Sequence, residues 1–93
     1  MSAPVLRVRL YVAGDAPNSA SAVSSLRSLL ARHPSRPAAV EIIDILQHPE
    51  RGMHDGVLVT PTLIKLAPRP ERRLIGSLRD TQVLATALGL GDP

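Results

Sequence analysis

Apolar and polar positions alternate along the first half of the chain with two different periods. Residues 6–12 alternate apolar and polar side chains and then become continuously apolar, which predicts a strand that begins half exposed and ends buried. Residues 19–32 space their aliphatic side chains by three and four, which predicts an amphipathic helix with serines on its solvated faces. The apolar helix face consists of Ala22, Val23, Leu26, Leu29 and Leu30.

The segment before this helix reads as a turn, in which Asp15 or Asn18 is predicted to cap the helix and Pro17 fits its first turn. Residues 39–46 are almost continuously aliphatic, which predicts a second strand covered on both faces. Because a helix connects the two strands, we expect them to be parallel. Asp44 interrupts the apolar run. It is predicted to end the strand and cap the next segment, with a functional carboxylate as the alternative.

The second half contains shorter elements. A weak helix is predicted to begin near Pro49, because Gly52 and Gly56 lower its stability. Pro61 marks a strand entrance, a sheet edge or a cis bond, since proline cannot donate to a ladder. Residues 62–66 and 72–76 are predicted to form a hairpin. The last helix is predicted over residues 80–88, with its apolar side formed by Val83, Leu84, Ala87 and Leu88.

The resulting order, β-α-β-α-β-β-α, is that of a thioredoxin-like α/β fold, with a mixed four-stranded sheet and helices on both faces. The chain of 93 residues is long enough for one domain, residues 1–93, and we expect flexible ends at 1–4 and 90–93. A start without a signal-peptide pattern and the lack of a long apolar run favour a cytoplasmic protein with no membrane contact.

Composition removes several chemistries from consideration. The chain has no cysteine, so disulfides, thiol catalysis and cysteine-based zinc sites are excluded. Residues 15–19, where thioredoxin-like enzymes carry their redox motif, contain no sulfur. The spacing of His33, His48 and His54 is not that of a metal site, and we expect no metal and no cofactor. With Tyr11 as the single aromatic residue, nucleic-acid binding by base stacking is not expected.

Positive charge is concentrated in the last third of the chain, although the net charge is only +3. This segment is either a solvated basic hairpin or a docking surface for an acidic partner. The candidate docking patch consists of Arg69, Arg72 and Arg73.

Four motifs in register give the chain a resemblance to a known family. Each is a short run of residues: Leu10-Tyr11-Val12-Ala13-Gly14 with Pro17-Asn18-Ser19, Ile43-Asp44-Ile45-Leu46 with Pro49, Thr60-Pro61-Thr62-Leu63, and Arg72-Arg73-Leu74-Ile75-Gly76-Ser77-Leu78. Together they resemble the KaiB family of the bacterial circadian clock over residues 10–90, with Ser77 in place of the usual aspartate.

The resemblance implies a regulatory protein rather than an enzyme. KaiB proteins bind the ATPase ring of KaiC, displace a KaiB-like sensor histidine kinase from that ring, and sequester KaiA. Some switch between a thioredoxin-like form and a tetramer with a rearranged C-terminal half, so a monomer, a dimer and a tetramer all stay open here. Pro61, Pro68 and Pro70 lie in the segment that corresponds to the family's switching region.

The resemblance also implies an interface on the second strand and the segment after it. Its residues would be Glu41, Pro49, Glu50, Met53, His54 and Gly56. Clock members usually carry lysine where Glu41 and Gly56 stand, and Arg69 replaces the middle of three prolines. Residues 83–88 lack the glycine and aspartate common in the family, so we expect a stable last helix and a thioredoxin-like resting form.

Two alternatives stay open beside binding to a KaiC-type ATPase. One is a divergent KaiB-like module outside any clock, which binds a histidine kinase or a stress-response partner. The other is a thioredoxin-like enzyme such as a peroxidase or transferase, which the absence of cysteine disfavours.

Overall fold

Seven elements follow one another in the predicted order in a computed structural model that describes residues 4–76 and 78–91. The strands are β1 (Leu6–Val12), β2 (Ala38–Asp44), β3 (Thr62–Ala67) and β4 (Arg72–Ile75). The helices are α1 (Pro17–Ala31), α2 (Pro49–His54) and α3 (Thr81–Ala87). The order β-α-β-α-β-β-α is therefore confirmed, and Ser77 lies outside the described residues.

The four strands form one mixed sheet in the order β2-β1-β3-β4. β1 pairs with β2 in parallel and with β3 antiparallel, so that Leu10 lies between Ile42 and Leu63. β3 and β4 form the predicted antiparallel hairpin, with Leu63 opposite Leu74. The two central strands are β1 and β3, and β2 and β4 form the edges of the sheet.

One face of the sheet carries the main core. Because side chains alternate along a strand, Leu6, Val8, Leu10 and Val12 of β1 all point to this face, where α1 and α3 cover them. The helices and the residue that ends α3 contribute buried side chains at spacings of three and four, which are Ala22, Leu26 and Leu29 from α1, Leu84 from α3 and Leu88 at its C-terminal cap. The predicted apolar face of α1 is confirmed.

The opposite face carries a smaller apolar cluster, formed by Tyr11, Ile43, Val57 and Ile64. Ile45 packs partly buried against it. α2 covers this face, since the Tyr11 hydroxyl reaches the carbonyl of Arg51 within α2. Helices thus lie on both faces of the sheet, as predicted.

The prediction that the second strand is covered on both faces is wrong. β2 has β1 as its one neighbour in the sheet, and Ile43 is its one buried residue. Val40 and Ile42 remain 38 % and 39 % exposed. A continuous aliphatic run is typical of a central parallel strand, but four strands leave this one at an edge, where neither a further strand nor a second helix can cover it.

Of the two caps predicted after β1 and β2, the one at Asp44 is confirmed and the one at the start of α1 is wrong. Asp44 ends β2 as expected, and its Oδ1 accepts hydrogen bonds from the backbone N–H groups of Leu46 and Gly14, both at 3.0 Å. Neither Asp15 nor Asn18 caps α1, because its N-cap is Ala16 and no side chain fills that role. Instead the buried Ser19 hydroxyl accepts a hydrogen bond from the N–H of Ala13.

The C-terminal helix follows the prediction with one correction. Asp80 caps α3 by accepting from the N–H groups of Gln82 and Val83, and Leu84 and Leu88 are fully buried. Val83, predicted on the same apolar side, is half exposed, because only one side of a seven-residue helix can contact the core. Leu90, placed in a flexible end by the sequence, is buried in the main core.

The loops contain the proline bonds singled out from the sequence. Pro61 directly precedes β3, and the Thr60–Pro61, Ala67–Pro68 and Arg69–Pro70 bonds are all cis. Within the described residues, none of the three helices has the length and apolar character needed to cross a membrane.

Leu26→Ala is expected to destabilise the protein by about 2–5 kcal/mol, because it empties a fully packed position between α1 and the sheet. Urea unfolding followed by far-ultraviolet circular dichroism measures the change. The matched control is Leu58→Ala, since Leu58 is 94 % exposed and its truncation is expected to change stability by less than about 0.5 kcal/mol. Equal effects of the two substitutions would contradict the described packing of α1.

Candidate partner-binding face

The sheet face that α2 covers, called here the α2 face, brings together the interface residues predicted from the sequence. Pro49, Glu50, Met53 and His54 are exposed residues of α2, and Gly56 lies exposed two residues after the helix. Met53 is an exposed apolar side chain on α2, with 81 % exposure. Glu41 of β2 joins this group through an ion pair with Arg51. The structure therefore places all six residues on or beside α2.

The local sequence explains why a helix forms at this point and why it is short. Pro49 occupies the first helical position, where its missing N–H costs nothing, and Glu50 adds an acid in the first turn. Gly56, with φ of +67°, adopts the left-handed conformation that ends the chain's helical path. Gly52 faces the sheet so closely that a Cβ there would lie 2.5 Å from Cδ1 of Ile45. The glycine predicted to weaken α2 is thus the residue that lets it approach the sheet.

A bidentate ion pair connects β2 to α2. Nη1 of Arg51 lies 2.5 Å from Oε2 of Glu41, and Nη2 lies 2.8 Å from Oε1. This geometry uses the planar fork of the guanidinium, which fixes orientation better than a single contact does. Nε of Arg9, on the neighbouring strand, donates a weaker bond of 3.3 Å to Oε1 of Glu41. Both carboxylate oxygens of Glu41 are therefore engaged within the protein.

A second polar contact connects β1 to the end of α2. The Tyr11 hydroxyl lies 2.5 Å from Oδ2 of Asp55 and 2.9 Å from the carbonyl oxygen of Arg51. Both groups are acceptors and the hydroxyl has one proton, so it donates chiefly to the nearer, charged oxygen and shares the carbonyl as a secondary acceptor. Nη1 of Arg9 also donates to Asp55, at 3.2 Å from Oδ2. Arg9 thus bridges Glu41 and Asp55.

The basic patch predicted in the hairpin divides into two parts. Arg73 of β4 donates from Nη2 to the backbone carbonyl of Asp55, so it belongs to the α2 face. Arg69 and Arg72 are exposed, in the β3–β4 loop and at the start of β4 respectively. Lys65 of β3, the single lysine of the chain, points to the main core and is 5 % exposed.

Six residues, together called the polar clamp, hold α2 to three strands. They are Arg9 and Tyr11 of β1, Glu41 of β2, Arg73 of β4, and Arg51 and Asp55 at the end of α2. The clamp contains three guanidinium groups and two carboxylates. It therefore presents a small excess of positive charge in spite of Glu41.

The pKa shifts follow these contacts. The hydrogen bond from Arg51 is the main cause that lowers the pKa of Glu41 below its usual value, and the Tyr11 hydroxyl does the same for the pKa of Asp55. Burial, together with the Asp55 carboxylate, raises the pKa of Tyr11 from 10.0 to about 12. The ionised carboxylates and the neutral phenol are thus the forms that the fold favours.

The sequence analysis missed four members of the clamp: Arg9, Tyr11, Arg51 and Asp55. The alternation of β1 was a usable signal for the first two, because Arg9 and Tyr11 must share the face opposite to Val8 and Leu10. Within residues 4–76 and 78–91, no cluster of three or more histidine, aspartate or glutamate side chains is arranged to hold a metal ion.

Comparison with known proteins relates this fold and this face to one family. A model of the KaiB domain matches residues 9–90 of the chain. The chain belongs to the KaiB family. The match runs from Arg9 within β1 to beyond the end of α3, and therefore includes the clamp and the whole α2 face.

Curated relatives are similar over almost the same length. Proteins named circadian clock oscillator protein KaiB are 41 % identical to this chain over 83 residues in Prochlorococcus marinus strain MIT 9312 and in Synechococcus sp. strain CC9311. Each match covers 89 % of this chain, and it covers 79 % and 70 % of the two relatives respectively. The similarity thus covers most of the length of each of these relatives.

Solved structures show that the fold is thioredoxin-like. The N-terminal domain of Synechococcus elongatus SasA superposes with a TM-score of 0.76 at 25 % identity, and the match covers 100 % of this chain and 91 % of that domain. Mitochondrial thioredoxin 3 from Saccharomyces cerevisiae superposes with a TM-score of 0.73 at 15 % identity, covering 90 % and 76 % of the two chains. The predicted fold class is confirmed.

Tyr11 is the only tyrosine and the chain has no tryptophan, so its ionisation can be measured directly by absorbance near 295 nm. We expect a midpoint near pH 12 in the folded protein and near 10 in urea. Asp55→Asn is expected to lower the folded midpoint, because it removes the negative charge that opposes the phenolate. A midpoint near 10 in the folded wild-type protein would contradict the described Tyr11 environment.

Acid is expected to weaken the clamp. The pKa values of Glu41 and Asp55 are lower in the folded chain than their usual values of 4.5 and 3.8, so their stabilisation is present above those values and is lost as the pH falls below them. Asp55→Asn should reduce the loss of unfolding free energy between neutral pH and about pH 3. Urea unfolding at a series of pH values measures this difference, and parallel curves for the two proteins would contradict it.

Proposed function

We propose that this protein is a non-enzymatic regulatory module that binds a KaiC-type ATPase ring through the α2 face. Membership of the KaiB family is the observation that carries the proposal, because the match includes every element of that face. Two features of the chain support a binding role. It contains no cysteine for the redox chemistry of thioredoxins, and α2 presents an apolar side chain, Met53, to solvent.

The proposed contact surface is the outward side of α2 with its flanking residues. Met53 supplies the apolar contact, and Pro49, Glu50, His54 and Gly56 surround it. Leu46 and Leu58, in the loops before and after α2, are 71 % and 94 % exposed and extend the apolar surface. The Glu41 side chain, which is 48 % exposed, pairs with Arg51 and contributes through that contact. An apolar centre with a charged rim is the usual anatomy of a protein interface.

The exposed arginines of the hairpin, Arg69 and Arg72, form a second part of the proposal. They lie outside the clamp, so their charge is available to a partner. We propose that they increase the association rate with an acidic surface, a role that charged rims commonly have. Displacement of a sensor histidine kinase or sequestration of KaiA would follow from occupation of the same ring.

A divergent module outside any clock is the second candidate function. It is favoured by one observation: residue 41 is a glutamate engaged by arginines, where the resemblance leads one to expect lysine. In that case the partner would be a histidine kinase or a stress-response regulator. The two functions differ in whether a KaiC-type ring is bound in a nucleotide-dependent way.

Binding to the purified KaiC-type ring of the same organism tests the proposal. The wild-type protein is expected to bind the ring, with an affinity that differs between ATP and ADP. Met53→Arg is expected to weaken binding by roughly tenfold or more, because it places a charge in the apolar centre of the interface.

Val83→Arg is the matched control for this substitution. Val83 is also an exposed apolar residue on a helix, at 51 % exposure, but α3 packs on the opposite side of the sheet. We expect it to bind like the wild-type protein. Equal weakening by the two variants would contradict the location of the interface, and no nucleotide-dependent binding of the wild-type protein would favour the second candidate function.

A further inference from the structure

We propose that Glu41 and Arg51 are positioning residues, whose ion pair sets the orientation in which α2 presents Met53 to a partner. This inference rests on the proposed function for what α2 binds, but the positioning itself can be measured on the protein alone. Glu41 would then act on a partner through Arg51, whereas the resemblance implied a direct contact.

The helix α2 has too few buried side chains to fix its own position on the sheet. It has six residues, whereas isolated helices shorter than about 12–15 residues are marginal even with favourable sequences. Gly52 is its one buried residue, and a glycine has no side chain to anchor in the apolar cluster. Its neighbours Met53 and His54 are exposed. Apolar burial by the helix itself therefore contributes little to its attachment.

Polar contacts supply the missing attachment, and they lie toward the C-terminal end of α2. Three strands reach this end: β1 through Arg9 and Tyr11, β2 through Glu41, and β4 through Arg73. Among the described residues, the hydrogen bonds from these strand side chains reach Arg51 and Asp55 on the helix side. Residues 51 and 55 are one helical turn apart, so fixing both of them fixes the rotation of α2 about its axis.

Both carboxylate oxygens of Glu41 accept hydrogen bonds from arginines of the protein itself. Its Oε1 accepts from Arg9 and Arg51, and its Oε2 accepts from Arg51 at 2.5 Å. A carboxylate engaged on both oxygens by two guanidinium groups has little charge left to attract a cation on a partner. A change at this residue must therefore act on a partner mainly through the movement of Arg51 and α2.

The test is a double-mutant cycle with Glu41→Gln, Arg51→Gln and the combined variant, because such a cycle separates a direct from a transmitted effect. Hydrogen exchange measures the positioning without any partner. The reporting amides are those of Asp55, Gly56 and Val57, which donate to the carbonyls of Arg51, Met53 and Gly52. We expect each single variant to speed their exchange by roughly three- to tenfold, and the combined variant to add no more.

A spectroscopic signature distinguishes positioning from a general loss of stability. Glu41→Gln should lower the titration midpoint of Tyr11, because a loosened α2 would weaken the burial and the Asp55 contact that raise the pKa of Tyr11. Within the described residues, the Tyr11 hydroxyl bonds to Arg51 and Asp55 and has no hydrogen bond to Glu41. Exchange in β3 and β4 should stay unchanged. Glu71→Gln, which removes the same charge from the exposed loop before β4, is the matched control and should alter neither measurement.

Binding to the KaiC-type ring completes the cycle. Glu41→Gln should weaken binding in the wild-type background by roughly the factor seen in exchange, and this effect should vanish in the Arg51→Gln background. An effect that persists in full in that background would overturn the inference, since Glu41 would then contact the partner directly. Unchanged exchange at the three amides in Glu41→Gln would also overturn it. If exchange and the Tyr11 titration change as expected but the wild-type protein binds no ring, the positioning role is supported and the proposed function fails.

Discussion

The strict alternation of side chains along β1 is the constraint on which both halves of this protein depend. β1 lies in the middle of the sheet, with β2 on one side and β3 on the other. Its apolar positions, such as Leu10, form the centre of the main core. The positions between them, Arg9 and Tyr11, form the base of the α2 face. A shift of one residue in the register of β1 would exchange the two sets, placing charge in the core and leaving α2 without its anchors.

Elements with a clear period could be predicted from the sequence, and those that depend on their neighbours could not. The apolar spacing of α1 and the alternation of β1 led to correct elements, because both patterns are local. The aliphatic run of β2 indicated a covered strand and was wrong, since burial depends on how many strands the sheet has. Ser19 was predicted only as the first residue of the helix, and its burial could not be predicted because it depends on a hydrogen bond that its hydroxyl accepts from Ala13 in the preceding turn.

The candidate site shows the same division. The resemblance to KaiB directed attention to Glu41 and the segment of α2, and the structure places them together. No local pattern could indicate that Arg9 contacts Asp55, since 46 residues separate them along the chain. Tyr11 and Asp55 are separated by 44. Such pairs arise only once the sheet brings β1 below α2, so the sequence alone identified the surface of the site and missed the groups beneath it.

The polar clamp contributes to the orientation of α2 more than to the free energy of unfolding. Exposed ion pairs contribute little to global stability, typically less than about 1 kcal/mol each, so the clamp is not what holds the protein folded. The apolar core formed with α1 and α3 does that. What a forked pair such as Glu41–Arg51 can do is choose among orientations of a short helix that apolar packing leaves nearly equal. The glutamate at residue 41 is therefore compatible with the small positive excess of the polar clamp, because its carboxylate is paired with the arginines that it orients.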